Sequence, residues 1–206
     1  MRRIIPFIVA MQLFVSVCAF PYNYSLAEAS VSVPGLLTIT FNYEKQPGLA
    51  SNQFAVWIED MDGNLVKTLY TTSFTANGGY RIRPDILPIW VTKSDAVSME
   101  ASEIDAITGS TPEAGDLSFT WDLTDSHGNA VVLGTYQFLV EGSLRWYNRV
   151  VFSGIIDTEG SATVVQGIAE YFYDRGAAGW PALAKDAPEH DMIGVVEAIW
   201  QPSTGG

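Results

Sequence analysis

Cysteine, histidine and positive charge are all scarce in this chain of 206 residues. Cys18 is the one cysteine, and His127 and His190 are the two histidines. Eleven basic residues stand against 23 acidic ones, a formal net charge of −12. The shortage of Lys and Arg argues against a nucleic-acid partner, whose phosphates need them. It argues equally against an anionic membrane surface. A single cysteine allows no internal disulfide and no Cys-rich metal site. No G-x-S-x-G, H-E-x-x-H, H-x-H, C-x-x-C-H, P-loop or G-x-G-x-x-G stretch occurs, so no familiar nucleophile, zinc, haem or phosphate signature marks the chain.

Long apolar runs are also rare, with one exception at the start. Arg2 and Arg3 precede a nearly unbroken apolar stretch, Ile4 to Phe20, and Ala27-Glu28-Ala29 is an A-x-A site. This is the layout of a secretory signal peptide over residues 1–29, with cleavage expected after Ala29. The alternative is an uncleaved anchor, but the run is short for a span and Pro6 interrupts it. Cys18 follows Val17, not the small residue a lipoprotein site wants. Cleavage would remove Arg2, Arg3, Glu28 and Cys18. The remainder, 30–206, is expected to be one exported domain, periplasmic or secreted, without membrane insertion.

What the chain has in quantity is aromatic and β-branched residues in short alternating runs bounded by turn residues. Leu36–Tyr43 alternates Leu37, Ile39, Phe41 and Tyr43 against Thr38, Thr40 and Asn42, a half-buried strand. Phe54–Glu59 is apolar on both faces and reads as a central strand. Asp60–Asn64 is a tight turn into the returning strand Leu65–Tyr70. Leu117–Asp122 and Thr135–Glu141 alternate again. Asp125, Ser126, Gly128 and Asn129 lie between them, and we expect this pair to form a hairpin. Leu144–Ile156, Ala162–Tyr173 and Met192–Trp200 supply further strands, and 201–206 a mobile tail. The segment 71–114 breaks the pattern. Its prolines at 84 and 88 exclude a central strand, and Asp95–Thr108 has some helical spacing. The fold class expected is therefore all-β, an antiparallel sandwich of about eight strands with one irregular or partly helical insertion.

Two resemblances sharpen this. Asp60, Gly63, Val66, Trp121, Asp122, Asp125, Gly128, Gly134 and Tyr136 follow a D-x-x-G-x-x-V turn and a W-D…D…G…G-x-Y pattern. That pattern resembles the immunoglobulin-like domain of flagellar hook-assembly proteins. More extensively, LTITFNY, FAVWIEDMDGNLVKTLY, the stretch from DAITGS through GTYQFLVEG, and IGVVEAIW resemble the predicted periplasmic proteins of domain of unknown function 2271. The resemblance implies an immunoglobulin-like sandwich in the periplasm and no established activity.

Candidate chemistry is sparse. Asp60, Asp62 and Asn64, and likewise Asp122 and Asp125, offer oxygens that would suit Ca²⁺. Hairpin-turn chemistry explains the same residues, and the EF-hand spacing is not met. No other cofactor is indicated. His127 sits in a turn, and His190 lies between Glu189 and Asp191 without a second histidine nearby. The aromatics are the better lead. Trp146, Tyr147, Tyr171, Tyr173 and Trp180, with Trp90, are more than one inner face needs. They mark either a sheet buried on both sides or an outward patch for a partner. The reading is a non-catalytic binding or accessory module. An envelope protein or a small ligand would be held on the sandwich surface or on the loops 71–114 and 174–190. A redox accessory or envelope enzyme carrying a cofactor or metal is the alternative.

Overall fold

A computed structural model describes residues 34–47, 50–145, 148–173, 184 and 187–203. The expected signal peptide, Trp146, Tyr147, Trp180 and the last three residues lie outside the described residues. The fold is an all-β sandwich of two sheets. The strands are β1 (Gly35–Tyr43), β2 (Ala50–Asp60), β3 (Leu65–Thr72), β4 (Thr108–Gly109), β5 (Gly115–Trp121), β6 (Thr135–Arg145), β7 (Asn148–Asp157), β8 (Thr163–Gln166), β9 (Ile168–Tyr173) and β10 (Glu197–Pro202). One sheet has the order β5-β1-β10-β8 and the other β4-β3-β2-β6-β7-β9. All pairings are antiparallel except β3 with β4.

The period-2 pattern places the main core between the sheets. Leu37, Ile39, Phe41 and Tyr43 of β1 and Trp121 and Trp200 of its neighbours face Phe54, Val56 and Ile58 of β2 and Phe138 and Val140 of β6. Trp57, Trp90, Trp121 and Trp200 are fully buried. Each of their indole N–H groups donates a hydrogen bond, to Glu59 Oε1, Thr68 Oγ1, the Thr124 carbonyl and the Gly160 carbonyl, at 2.8, 3.1, 2.8 and 3.2 Å. A buried donor left unmade would cost about 1–3 kcal/mol, so these partners are what make four buried indoles tolerable.

The expected hairpin over Leu117–Gly142 does not form. β5 pairs with β1, Leu37 opposite Trp121, whereas β6 lies in the other sheet between β2 and β7. Residues 122–134 cross from one sheet to the other. Within them the Asp125–Asn129 turn closes only a small loop, bridged at Thr124 and Ala130. Alternation says which face of a strand is apolar, not which strand lies beside it. Here the two apolar faces meet across the core instead of sharing a sheet.

Three more boundaries differ from the expectation. Leu144 and Arg145 complete β6, and Arg145 pairs with Asn148 at the start of β7. The run 162–173 is two strands in different sheets, divided at Gly167, whose N–H bonds the Val196 carbonyl at 2.8 Å. A Cβ at Gly167 would approach the Cβ atoms of Phe152 and Val196 to 3.3 Å, so a bare backbone fits where the chain passes between the layers. Near the end, Pro188–Met192 is a 3₁₀ turn and the strand begins only at Glu197. Gln201 and Pro202, expected in the tail, pair with Leu36 and Gly35.

The insertion is ordered and partly helical, as its composition suggests. It holds α1 (Ser73–Ala76), a 3₁₀ turn at Gly79–Arg81, α2 (Pro88–Lys93) and α3 (Ala101–Ile107), and returns through β4. It covers the outer face of the larger sheet. Tyr80, Ile86, Leu87, Trp90 and Ala96 pack on Ala55 and Trp57 of β2, Leu139 of β6 and Val151 of β7. β2 is apolar on both faces because both are covered.

Candidate functional site

The insertion is fastened to the sheet by a buried polar layer. Glu141 is fully buried on β6. Its carboxylate accepts the N–H groups of Ile89 and Trp90, at 3.3 and 2.9 Å, in the first turn of α2. Ser143 Oγ accepts the N–H of Leu87 at 3.0 Å. Burial pushes the Glu141 carboxyl up to about 7, against the opposing pull of the Trp90 and Ile89 N–H groups and of Arg149. Arg149 Nε lies 3.8 Å from Glu141, and its guanidinium sits over the Phe172 ring at 4.3 Å. At the far end of α2, Lys93 reaches Glu59 at 3.0 Å and the Gly63 carbonyl at 2.5 Å.

Held this way, the insertion leaves a cleft of about 480 Å³ beside β3. One wall is β3, through Leu65, Lys67 and Thr68. The other is α3 with the segment before it, through Ser94, Asp95, Ser98, Met99, Ser102, Glu103, Ala106 and Ile107, and Ser126 stands at the rim. β3 pairs with β4 only at Thr71 and Thr72, and Ser126 N–H bonds the Val66 carbonyl at 3.0 Å. The cleft occupies the strand edge between these two contacts. Glu100 and Glu103 start α3 with a reciprocal capping box, the Glu100 N–H bonding Glu103 at 2.8 Å, which fixes the first turn. Ser94 ends α2, its N–H bonding the Trp90 carbonyl at 2.8 Å. Its side chain is buried, and its Oγ has no hydrogen-bond partner among the described residues. Asp95 follows with φ of +48°, a conformation uncommon outside glycine.

Of the acids singled out as oxygen donors, Asp60 and Asp125 head turns bonded alike. Asp60 Oδ1 accepts the N–H groups of Asp62 and Asn64, and its Oδ2 the Asn64 side-chain amide. Asp125 does the same with His127 and Asn129. Gly63 and Gly128 occupy the matching place at φ of +80° and +82°. Hydrogen bonds from Asn64 and from Asn129 hold the two carboxyls below their ordinary value. Asp122 pairs with Lys67 at 3.1 Å and bonds Thr124. Burial raises its carboxyl, but these bonds outweigh burial and lower it. Turn chemistry thus accounts for the spacing of these residues, and no group of three or more His, Cys, Asp or Glu able to hold a metal occurs among the described residues.

The aromatic lead divides. Trp90 is core. Tyr171 and Tyr173 share the inner side of the edge strand β9, stacked at 6.1 Å, with the His190 ring against them at 5.0 and 5.6 Å. Tyr171 packs on the main core, and Phe172, on the other face, packs on the second core. Trp146, Tyr147 and Trp180 lie outside the described residues. His127 is exposed, with Ser126 Oγ 3.5 Å from its Nδ1. Sequence reasoning placed a binding surface on the 71–114 insertion but did not single out the residues of the cleft. The trace they leave is the serines at 94, 98 and 102, spaced by four, beside Met99 and Ile107.

No helix among the described residues is long and apolar enough to cross a membrane. No curated protein and no solved structure matches the chain. The match to one family, described as predicted periplasmic protein (DUF2271), covers residues 37–172. It takes in β7 and β9, with the β6–β7 hairpin, and stops short of Ile193–Trp200, which the resemblance had included. It also contains the DAITGS stretch, Asp105–Ser110, which closes the cleft: Ala106 and Ile107 line it, Thr108 and Gly109 form β4, and Tyr70 Oη bonds the Ser110 carbonyl at 2.9 Å. The chain is a member of this DUF2271 family of predicted periplasmic proteins.

Proposed function

We propose that the protein is a non-catalytic binding module of the periplasm, exported by residues 1–29, with its ligand held in the cleft between α3 and β3. The observation that carries this reading is a 480 Å³ cleft walled by β3 on one side and by α3 with the segment before it on the other. The volume falls within the range of small-ligand sites, which combine apolar walls with a few placed polar groups. Here Leu65, Met99 and Ile107 are the apolar part, and the exposed serines Ser98 and Ser102 with Asp95 and Glu103 the polar part. The walls are a strand of the sandwich and a helix locked to it, so the site is preformed. The immunoglobulin-like scaffold suggested by the W-D pattern fits the same reading, since such scaffolds carry binding surfaces on insertions.

The test is a melting-temperature screen of the exported, purified protein against sugars, amino acids, short peptides and amines. A binder present at about a hundred times its Kd stabilises by about 2.7 kcal/mol and raises Tm by roughly 5 °C. Ala106→Trp puts a ring into the cleft from an exposed helix position and should abolish that rise. A rise that survives Ala106→Trp unchanged, or no rise with any class, overturns the proposal.

A further inference from the structure

The uncommitted charge of the cleft is negative. Among the described residues Lys67 is the one basic residue lining it, and its Nζ is already held by Asp122 at 3.1 Å and by Thr124 Oγ1. Asp95 forms no side-chain hydrogen bond or ion pair among the described residues. Glu103 gives only Oε2 to the Glu100 N–H. Ser98 and Ser102, both exposed, line the same wall as these carboxylates. Leu65, Met99 and Ile107 supply apolar wall.

We infer, resting on the cleft being the ligand site proposed above, that its ligand carries an ammonium or guanidinium group on an aliphatic stem. The cationic head would lie among Asp95, Glu103 and the exposed serines Ser98 and Ser102, and the stem would follow Leu65, Met99 and Ile107. An ammonium group has three donors and no acceptor, which complements a lining whose free groups are carboxylates and hydroxyls. An anion would meet two carboxylates, with Lys67 already paired. A neutral sugar would find no aromatic ring to stack on, since no Phe, Tyr or Trp among the described residues lines the cleft. The formal net charge of −12 further draws cations toward the surface.

Three probes with one carbon chain and different heads separate the possibilities: pentylammonium, 1-pentanol and pentanoate. Each is titrated into the ¹⁵N-labelled protein while the amides of residues 65–68 and 94–107 are followed. Pentylammonium should move these amides and bind more tightly than the other two by on the order of tenfold, the scale of one charge-assisted hydrogen bond. Added salt should weaken it. Asp95→Asn and Glu103→Gln should each reduce its binding several-fold. Both variants are expected to fold, because Asn tolerates positive φ and Gln keeps the capping box. Equal binding of pentanol or pentanoate at these amides overturns the cationic ligand but leaves the cleft as the binding site. If no probe moves them, the cationic inference fails, and the wider melting screen with Ala106→Trp decides the cleft separately.

Discussion

Asp60 and Asp125 show how much of this protein is settled within five residues. Each begins a turn of the form Asp-x-x-Gly-Asn and gathers the N–H groups of the third and fifth residues onto one carboxylate oxygen. The glycine takes the positive φ that other residues avoid. Such turns were legible from the sequence because donor, acceptor and glycine lie at fixed local spacings. Both carboxyls are held below their ordinary value by these bonds. Their contribution is therefore present above the ordinary carboxylate range and is lost as pH falls through their lowered values. Asp60→Ala and Asp125→Ala should each lower Tm at neutral pH, and the deficit against wild type should shrink on acidification, measured by thermal melts from pH 7 to pH 3. A constant deficit at all pH values would mean that the turns act through something other than the ionised carboxylate.

At the level of elements, the main object is the insertion on the outer face of the larger sheet. β2 was legible as central, because Phe54–Glu59 has no polar face. What covers its outer side was not legible, since the contacts of Trp90, Leu87 and Ile86 with Trp57 and Leu139 are long-range and follow no local pattern. Glu141 is the joint. Its folded value of about 7 lies above the unfolded carboxyl value of 4.5. A raised value gives stability that is fully present below the unfolded value and is lost as pH rises through the folded one. The protein should thus gain about 3 kcal/mol from Glu141 on going from pH 8 to below pH 5. Glu141→Gln should flatten that part of the profile, and the amides of α2 and α3 should then exchange faster with solvent. Urea denaturation across the pH range, with hydrogen exchange beside it, measures both. A wild-type stability that climbs from pH 5 to pH 8 would contradict the assigned role.

For the whole molecule, class and topology parted company. The all-β architecture follows from alternation and turn residues, which are local, whereas the ten strands described exceed the eight or so expected. Strand order does not follow from them, because β5 and β6 present the same pattern whether they lie side by side or face each other across the core. The passage at Gly167 was hidden for the same reason, inside one continuous β-like run. The cleft is a product of that non-local arrangement. β3, the segment 94–107 and Ser126 come from three separate parts of the chain, and the sequence pointed toward it only in outline, through the 71–114 insertion and the DAITGS stretch within it. The central claim is that this cleft is where the protein meets its ligand. The most direct measurement is amide chemical-shift mapping of the exported protein with whichever compound raises its Tm most. The account predicts that the largest shifts fall on residues 65–68, 94–107 and 126. Largest shifts on 168–173 and 188–192, around Tyr171, Tyr173 and His190, would contradict it.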